Sequence, residues 1–276
     1  MPDTAVLAVT PRTTHAPAGP RSAATATTQV VVLTARCARL AVRHVDGLVT
    51  ALVLPVVILA VFVWLFGGAV RADGRYVDDV VPGIVAICAG FGAGTTAVSV
   101  CQDLVGGTVD RLRTLDVGGP ALLAAHVGVA VARNLVSSVL VVVVALALGF
   151  RPHAGAAGWF VAALVVTAYL TAITWVAACL GMLARSAEGA GGATMGLMFF
   201  AYPSSAVVPV DTLPAWLQGF AGHQPVTPVV DGLRALLHGT PPSEVAGTVG
   251  TAFAWCAAIV AVAVLAAAVL FRRRTA

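Results

Sequence analysis

Chemistry in this 276-residue chain would have to start from six histidines, five cysteines and a few acidic side chains. Their spacing excludes more than it offers. No two of His15, His44, His126, His153, His223 and His238 stand four apart, the separation that puts two metal ligands on one helical face. Cys37, Cys88, Cys101, Cys179 and Cys256 are odd in number and form no C-x-x-C pair, and most fall in or beside apolar runs. Small buried thiols are therefore expected rather than a disulfide or metal framework. Ser137, Ser138, Ser204 and Ser205 also lie in or near apolar runs, where hydroxyls bond to helix backbone. No acid or base accompanies them, so the chain is read as having no catalytic residue, resident metal or cofactor of its own.

All 16 cationic side chains are Arg. Without Lys the chain cannot form a Walker A loop, whose Lys holds the β and γ phosphates. The stretch Phe91 to Ala97 imitates G-x-G-x-x-A, but that fingerprint needs a preceding strand, and here it lies inside an apolar helical run. Two charged segments remain. One is Asp103 to Pro120, with Gly107, Thr108, Arg111, Leu112, Arg113 and Leu115; the other is Gln224 to Gly239, with Pro225, Thr227, Pro228, Asp231 and Arg234.

The elements that must position these segments follow from composition. The chain is 59% hydrophobic and 10% charged, with mean hydropathy +0.95, whereas soluble domains carry about 25% charged residues. A helix needs about 20 mostly apolar residues to cross the hydrocarbon core. Residues 1–28, rich in Thr, Ala and Pro, read as a disordered cytoplasmic tail. Over 29–46, Arg36, Arg39 and Arg43 recur at spacings of three and four, which predicts an amphipathic helix lying on the membrane. Spans are then predicted over about 48–70, 80–101, 127–150, 159–184, 191–210 and 245–271, the third extending back toward Ala121. The fold class is all-α: six transmembrane helices, an N-terminal interfacial helix and a short external re-entrant helix between spans five and six.

With both termini in the cytoplasm, twelve Arg fall inside and four outside, as the positive-inside rule requires. Arg133 and Asn134 are placed near the inner surface, so the span centres carry no ionisable group. That weighs against an ion- or proton-coupled carrier, which usually holds one there. Gly90 with Gly94, and Gly192 with Gly196, are G-x-x-x-G pairs that suit either close packing within one bundle or a dimer seam.

The inner segment reads either as a helix of roughly two turns capped by Thr108, able to pass force from a cytoplasmic partner, or as a solvated hairpin. In the outer segment, Thr227 is expected to cap a helix from Pro228 to Leu237 that stops at Gly239. Its apolar stripe is Val229, Val230, Leu233, Leu236 and Leu237, and Asp231 can pair with Arg234. Such a helix either dips into the outer leaflet or packs on the bundle as a surface helix.

Both segments resemble the integral membrane subunits of type 2 ABC exporters, most closely the actinobacterial daunorubicin-resistance branch. Asp103, Gly107, Thr108 and Leu112 match that family's acidic residue and Gly-Thr-x-x-x-Leu segment. Gln224, Pro225, Val226, Thr227, Val229, Val230, Asp231, Leu233, Arg234 and Leu236 match its external Q-P-V-T-x-V-V-D-x-L-R-x-L. The chain departs from the pattern at Asp116 to Pro120, and its inner loop is less basic than usual.

The resemblance implies a permease subunit in the bacterial cytoplasmic membrane, working as a dimer with itself or a related permease. ATP and Mg would be bound by a separate ATPase that meets the interfacial helix and the inner loop. The substrate would be hydrophobic or amphipathic and antibiotic-like, with Asp231 and Arg234 closing the outer end. No nucleic-acid partner is implied. A proton-coupled secondary transporter and a non-transporting membrane scaffold are the alternatives.

Overall fold

The computed structural model describes residues 23–43, 45–70, 76–107, 119–199, 202–206 and 210–275. Among them every regular element is helical: α1 (Ala23–Arg43), α2 (Val45–Val70), α3 (Tyr76–Val105), α4 (Gly119–Ala147), α5 (Ala156–Leu183), α6 (Ala187–Phe199), a 3-10 turn (Val210–Thr212), α7 (Ala215–His223), α8 (Val226–Leu237) and α9 (Ala246–Thr275). The expected tail falls largely outside the described residues, as do Thr108, Arg111, Leu112, Arg113 and Leu115 of the inner segment.

Four helices contain stretches long and apolar enough to cross a membrane: Val77–Val105, Ala121–Ala147, Ala156–Leu183 and Ala246–Phe271. The described apolar part of α2, Ala51–Leu65, is shorter. Central to the bundle is α3, which packs on α2, α4, α5, α6 and α8, while α9 packs on α5 and α8 and α1 lies on α4. Asp78 and Asp79 open α3, where carboxylates face the positive end of the helix dipole. All five cysteines are free and buried.

Several boundaries differ from the sequence pattern. The helix α1 begins at Ala23, because the Ala- and Thr-rich stretch before Gln29 continues it. The helix α3 runs past 101 to Val105, which puts Asp103 in its last turn and Gly107, with φ +69°, just beyond.

The fifth apolar run, 191–210, is not one helix: α6 ends at Phe199 after 13 residues, and 202–206 is irregular. Pro203 explains the break, since a proline removes a backbone donor and disfavours helix in the residue before it; Pro209 lies outside the described residues. The irregular backbone is held by side chains of the outer segment. Gln224 Nε2 donates to the Pro203 carbonyl, and Arg234 Nη2 donates to that of Ser205 at 2.8 Å. Non-helical chain at membrane depth persists only where protein surrounds it in this way.

The helix α4 carries the largest correction. It starts at Gly119, so Arg133 stands near the middle of the Ala121–Ala147 span rather than at its inner end. This apolar stretch of span length therefore carries an ionisable group near its middle. The stretch Ala121–Ala147 includes the expected extension toward Ala121, and that extension is what sets Arg133 away from the helix end.

Candidate transport cavity

Three of the elements predicted separately meet at one end of the bundle. Arg36 on α1 donates through Nη1 and Nη2 to Asp103 Oδ2 and Oδ1, at 3.3 and 3.4 Å. His126 on α4 meets Asp103 Oδ2 through Nε2 at 2.9 Å. One carboxylate thus ties α1, α3 and α4 together. It does so beside an apolar patch in which Leu33 and Cys37 of α1 are buried against Leu122 and Ala125 of α4. The packed face of α1 is therefore the one bearing Leu33, Arg36 and Cys37. Arg39 is exposed and bonds only its own helix, at the Ala35 carbonyl, and Arg43 lies where only backbone is described.

From this clamp a cavity of about 560 Å³ runs between α3, α4 and α6, with Leu40 and Ala41 of α1 at one end. Helical spacing explains which side chains reach it. On α3, Thr96, Ser99 and Asp103 recur three and four apart, as do His126, Ala130 and Arg133 on α4. Phe91, Val98, Val129 and Met195 supply apolar wall. Arg133 Nη2 donates to the Gly92 carbonyl at 2.9 Å and to Thr95 Oγ1, which itself donates to Gly92 O at 2.8 Å. The polar side chains of this cavity were present in the sequence, and the seven-residue interval between His126 and Arg133 was the signal that would have put both on one face.

Close approach of α3 to α4 depends on Gly92. A Cβ there would lie 2.0 Å from Asn134 Oδ1 and 2.4 Å from its Cγ, so the buried amide occupies the space that glycine leaves. Gly92→Ala is expected to cost about 1–3 kcal/mol by overpacking. The measurement is the apparent melting temperature of the purified protein; an unchanged value would mean the seam can open without strain. Gly94 also approaches a neighbour, with a Cβ there 3.2 Å from Thr194 Oγ1 on α6, whereas a Cβ on Gly192 or Gly196 would meet nothing among the described residues. Gly94 of the first G-x-x-x-G pair thus packs within the bundle.

At the opposite end lies the outer segment. As Pro225 predicts, Gln224 is extended, with φ −77° and ψ 156°, and it separates α7 from α8. The helix α7 itself went unread because Trp216, Leu217 and Phe220 show no clear stripe in so short a stretch. Helix α8 begins at Val226, not Pro228, with no side-chain cap. Thr227 is not the cap: its buried Oγ1 donates to the Ala221 carbonyl at 2.6 Å, satisfying one of the free carbonyls at the end of α7.

The stripe Val229, Val230, Leu233, Leu236 and Leu237 is fully buried within a core that includes α3, α5 and α9. Arg234 Nη1 bonds Asp231 Oδ1 at 3.1 Å. Its remaining nitrogens donate to backbone: Nε and Nη2 to the Asp79 carbonyl at 3.3 and 3.2 Å, and Nη2 to that of Ser205. Gly239 ends the segment with φ +92°, a conformation that side chains rarely adopt, and a Cβ there would also press on His153 O at 2.9 Å.

Comparison with known proteins places this arrangement in company. Residues 28–238 match the family model described as ABC-2 type transporter. Over 195 residues the chain is 30% identical to the daunorubicin resistance ABC transporter permease protein DrrB1 of Streptomyces coeruleorubidus, covering 70% of this chain and 69% of that one. Over 231 residues it is 25% identical to the "Probable doxorubicin resistance ABC transporter permease protein DrrC" of Mycobacterium tuberculosis, covering 81% and 80%.

Proposed function

The chain belongs to the ABC-2 type transporter family, as a membrane permease subunit of the drug-resistance branch, and from that premise we propose how it works. ATP hydrolysis belongs to a separate subunit, which binds ATP and Mg. The proposal is export of hydrophobic or amphipathic, antibiotic-like compounds through the cavity between α3, α4 and α6. The observation that carries it is a drug-sized, mixed polar and apolar space among helices long enough to cross a membrane.

In this reading there are six crossings in the bacterial cytoplasmic membrane: the four long helices, α2, and the apolar run 191–210 that α6 opens. The Arg bias supports having both termini and the Asp103 clamp inside, with α7 and α8 as a hairpin re-entering from outside. The helix α1 lies along the inner surface and, with the loop after Gly107, receives the ATPase. The open Gly192 and Gly196, beside the exposed Met195 and Phe199, support pairing with a second copy or a related permease. Asp231 and Arg234 close the outer end.

The ionisable groups found inside the spans remove the sequence argument against a proton-coupled carrier; family membership decides for ATP. In inverted vesicles holding the permease and its ATPase, uptake of a fluorescent, uncharged amphiphile is expected to need ATP and to survive collapse of the proton gradient. Uptake that follows the gradient and ignores nucleotide would overturn the proposal. Leu112→Asp with Arg113→Ala is expected to abolish both uptake and co-purification of the ATPase, while the permease still reaches the membrane. If both persist, the inner loop is not the coupling element.

A further inference from the structure

We infer that the cavity selects amphipathic compounds bearing an acidic group, a carboxylate or phosphate, and that Arg133 is the residue that recognises it. This inference rests on the export reading and narrows its substrate class.

Arg133 stands twelve residues into the Ala121–Ala147 span and fourteen from its end, roughly 18 and 21 Å along the helix. A cation at that depth is expensive and is usually retained for function, with a partner. Here the described residues supply no acidic partner. Both hydrogen bonds of Arg133 leave from Nη2 and end on neutral oxygens, those of Gly92 and Thr95, and its buried Nε has no acceptor. No carboxylate pairs with it among the described residues.

The acidic group lining the same cavity, Asp103, already has both oxygens engaged by Arg36 and one also by His126. The space therefore presents a guanidinium that no carboxylate among the described residues neutralises, beside the apolar wall of Phe91, Val129 and Met195. An anionic oxygen pair suits a guanidinium better than any neutral acceptor, because its planar fork bonds both oxygens and the charges compensate. The apolar wall takes the remainder of the molecule, and a cationic amphiphile is disfavoured.

The test is direct binding to the purified full-length permease in phosphatidylcholine nanodiscs, which needs neither ATPase nor transport. The probes are dansyl-labelled lauric acid and its methyl ester, at a pH where the acid is ionised. The acid is expected to bind about tenfold more tightly than the ester, the scale of one charge-assisted contact. Arg133→Gln should erase that preference, and Arg133→Lys should retain part of it. Equal binding of acid and ester by the unaltered protein would overturn the inference, and needs no variant to fold. A preference that persists in Arg133→Gln would overturn it too.

Adding phosphatidylglycerol distinguishes the sources. Competition with the acid in the unaltered protein, absent in Arg133→Gln, identifies a lipid headgroup as occupant. Lack of competition, with the preference intact, identifies a soluble acid. If ATP-driven uptake holds while the acid preference fails, the substrate inference alone is lost.

Discussion

Asp103→Ala is expected to abolish export and to loosen α1 from the bundle. The carboxylate accepts from Arg36 on one helix and His126 on another, so its removal leaves an arginine and a largely buried imidazole without their partner at once. Losing one member of a fully buried pair costs about 3–5 kcal/mol. Arg36 keeps a third of its side-chain surface, so about 2–3 kcal/mol is the better expectation here. Asp103→Asn, which keeps one acceptor oxygen, should fall between the two.

If α1 and the end of α3 move together when the ATPase closes, the loss should show most clearly in coupling. Substrate-stimulated ATP hydrolysis would disappear in Asp103→Ala while basal hydrolysis by the partner persists. Export at the unaltered level would mean that the clamp does not transmit force. His126→Gln, which can still donate a hydrogen bond, is the internal control and should cost much less.

Arg234→Ala should be the most damaging change on the outer side, and far worse than Asp231→Ala. The salt bridge between them is the smaller part of what Arg234 does, because Asp231 is 42% exposed and such pairs contribute under about 1 kcal/mol. The larger part is three bonds to the carbonyls of Asp79 and Ser205, which hold the start of α3 and the irregular 202–206 segment against α8. Losing these three bonds costs about 3 kcal/mol in total. This sharpens the test of the outer gate. Exchanging the charges, Asp231→Arg with Arg234→Asp, restores an ion pair but cannot restore the donors, so no rescue of melting temperature or export is expected. Full rescue would show that the charge pair, not the backbone clamp, is what Arg234 supplies.

Much of the fold was legible because it is local. Apolar runs of membrane length, the stripe of α8, the extended Gln224 before Pro225 and the stop at Gly239 each depend on residues within a turn or two of one another. The i,i+3 pair of Asp231 and Arg234 was legible for the same reason. Charge marks misled where they interrupted a run. Arg133 was taken as the edge of a span, although a helix can bury an arginine when a neighbour's backbone accepts from it. The break at Phe199 was readable in Pro203 but was outweighed by hydropathy.

The sequence by itself determined an all-helical membrane chain without a phosphate-binding lysine, its Arg bias, and the outer segment's shape and punctuation. These follow from periodicity, composition and the backbone chemistry of proline and glycine. Only the tertiary structure decided that Arg36 and Asp103, 67 positions apart, share one clamp with His126, that Arg133 lines a cavity with no carboxylate paired to it among the described residues, and that Arg234 grips carbonyls 155 and 29 positions away. The physical reason is that backbone acceptors are anonymous. Every residue carries a carbonyl, and which one remains free beside a given arginine depends on helix packing rather than on any residue type the sequence displays.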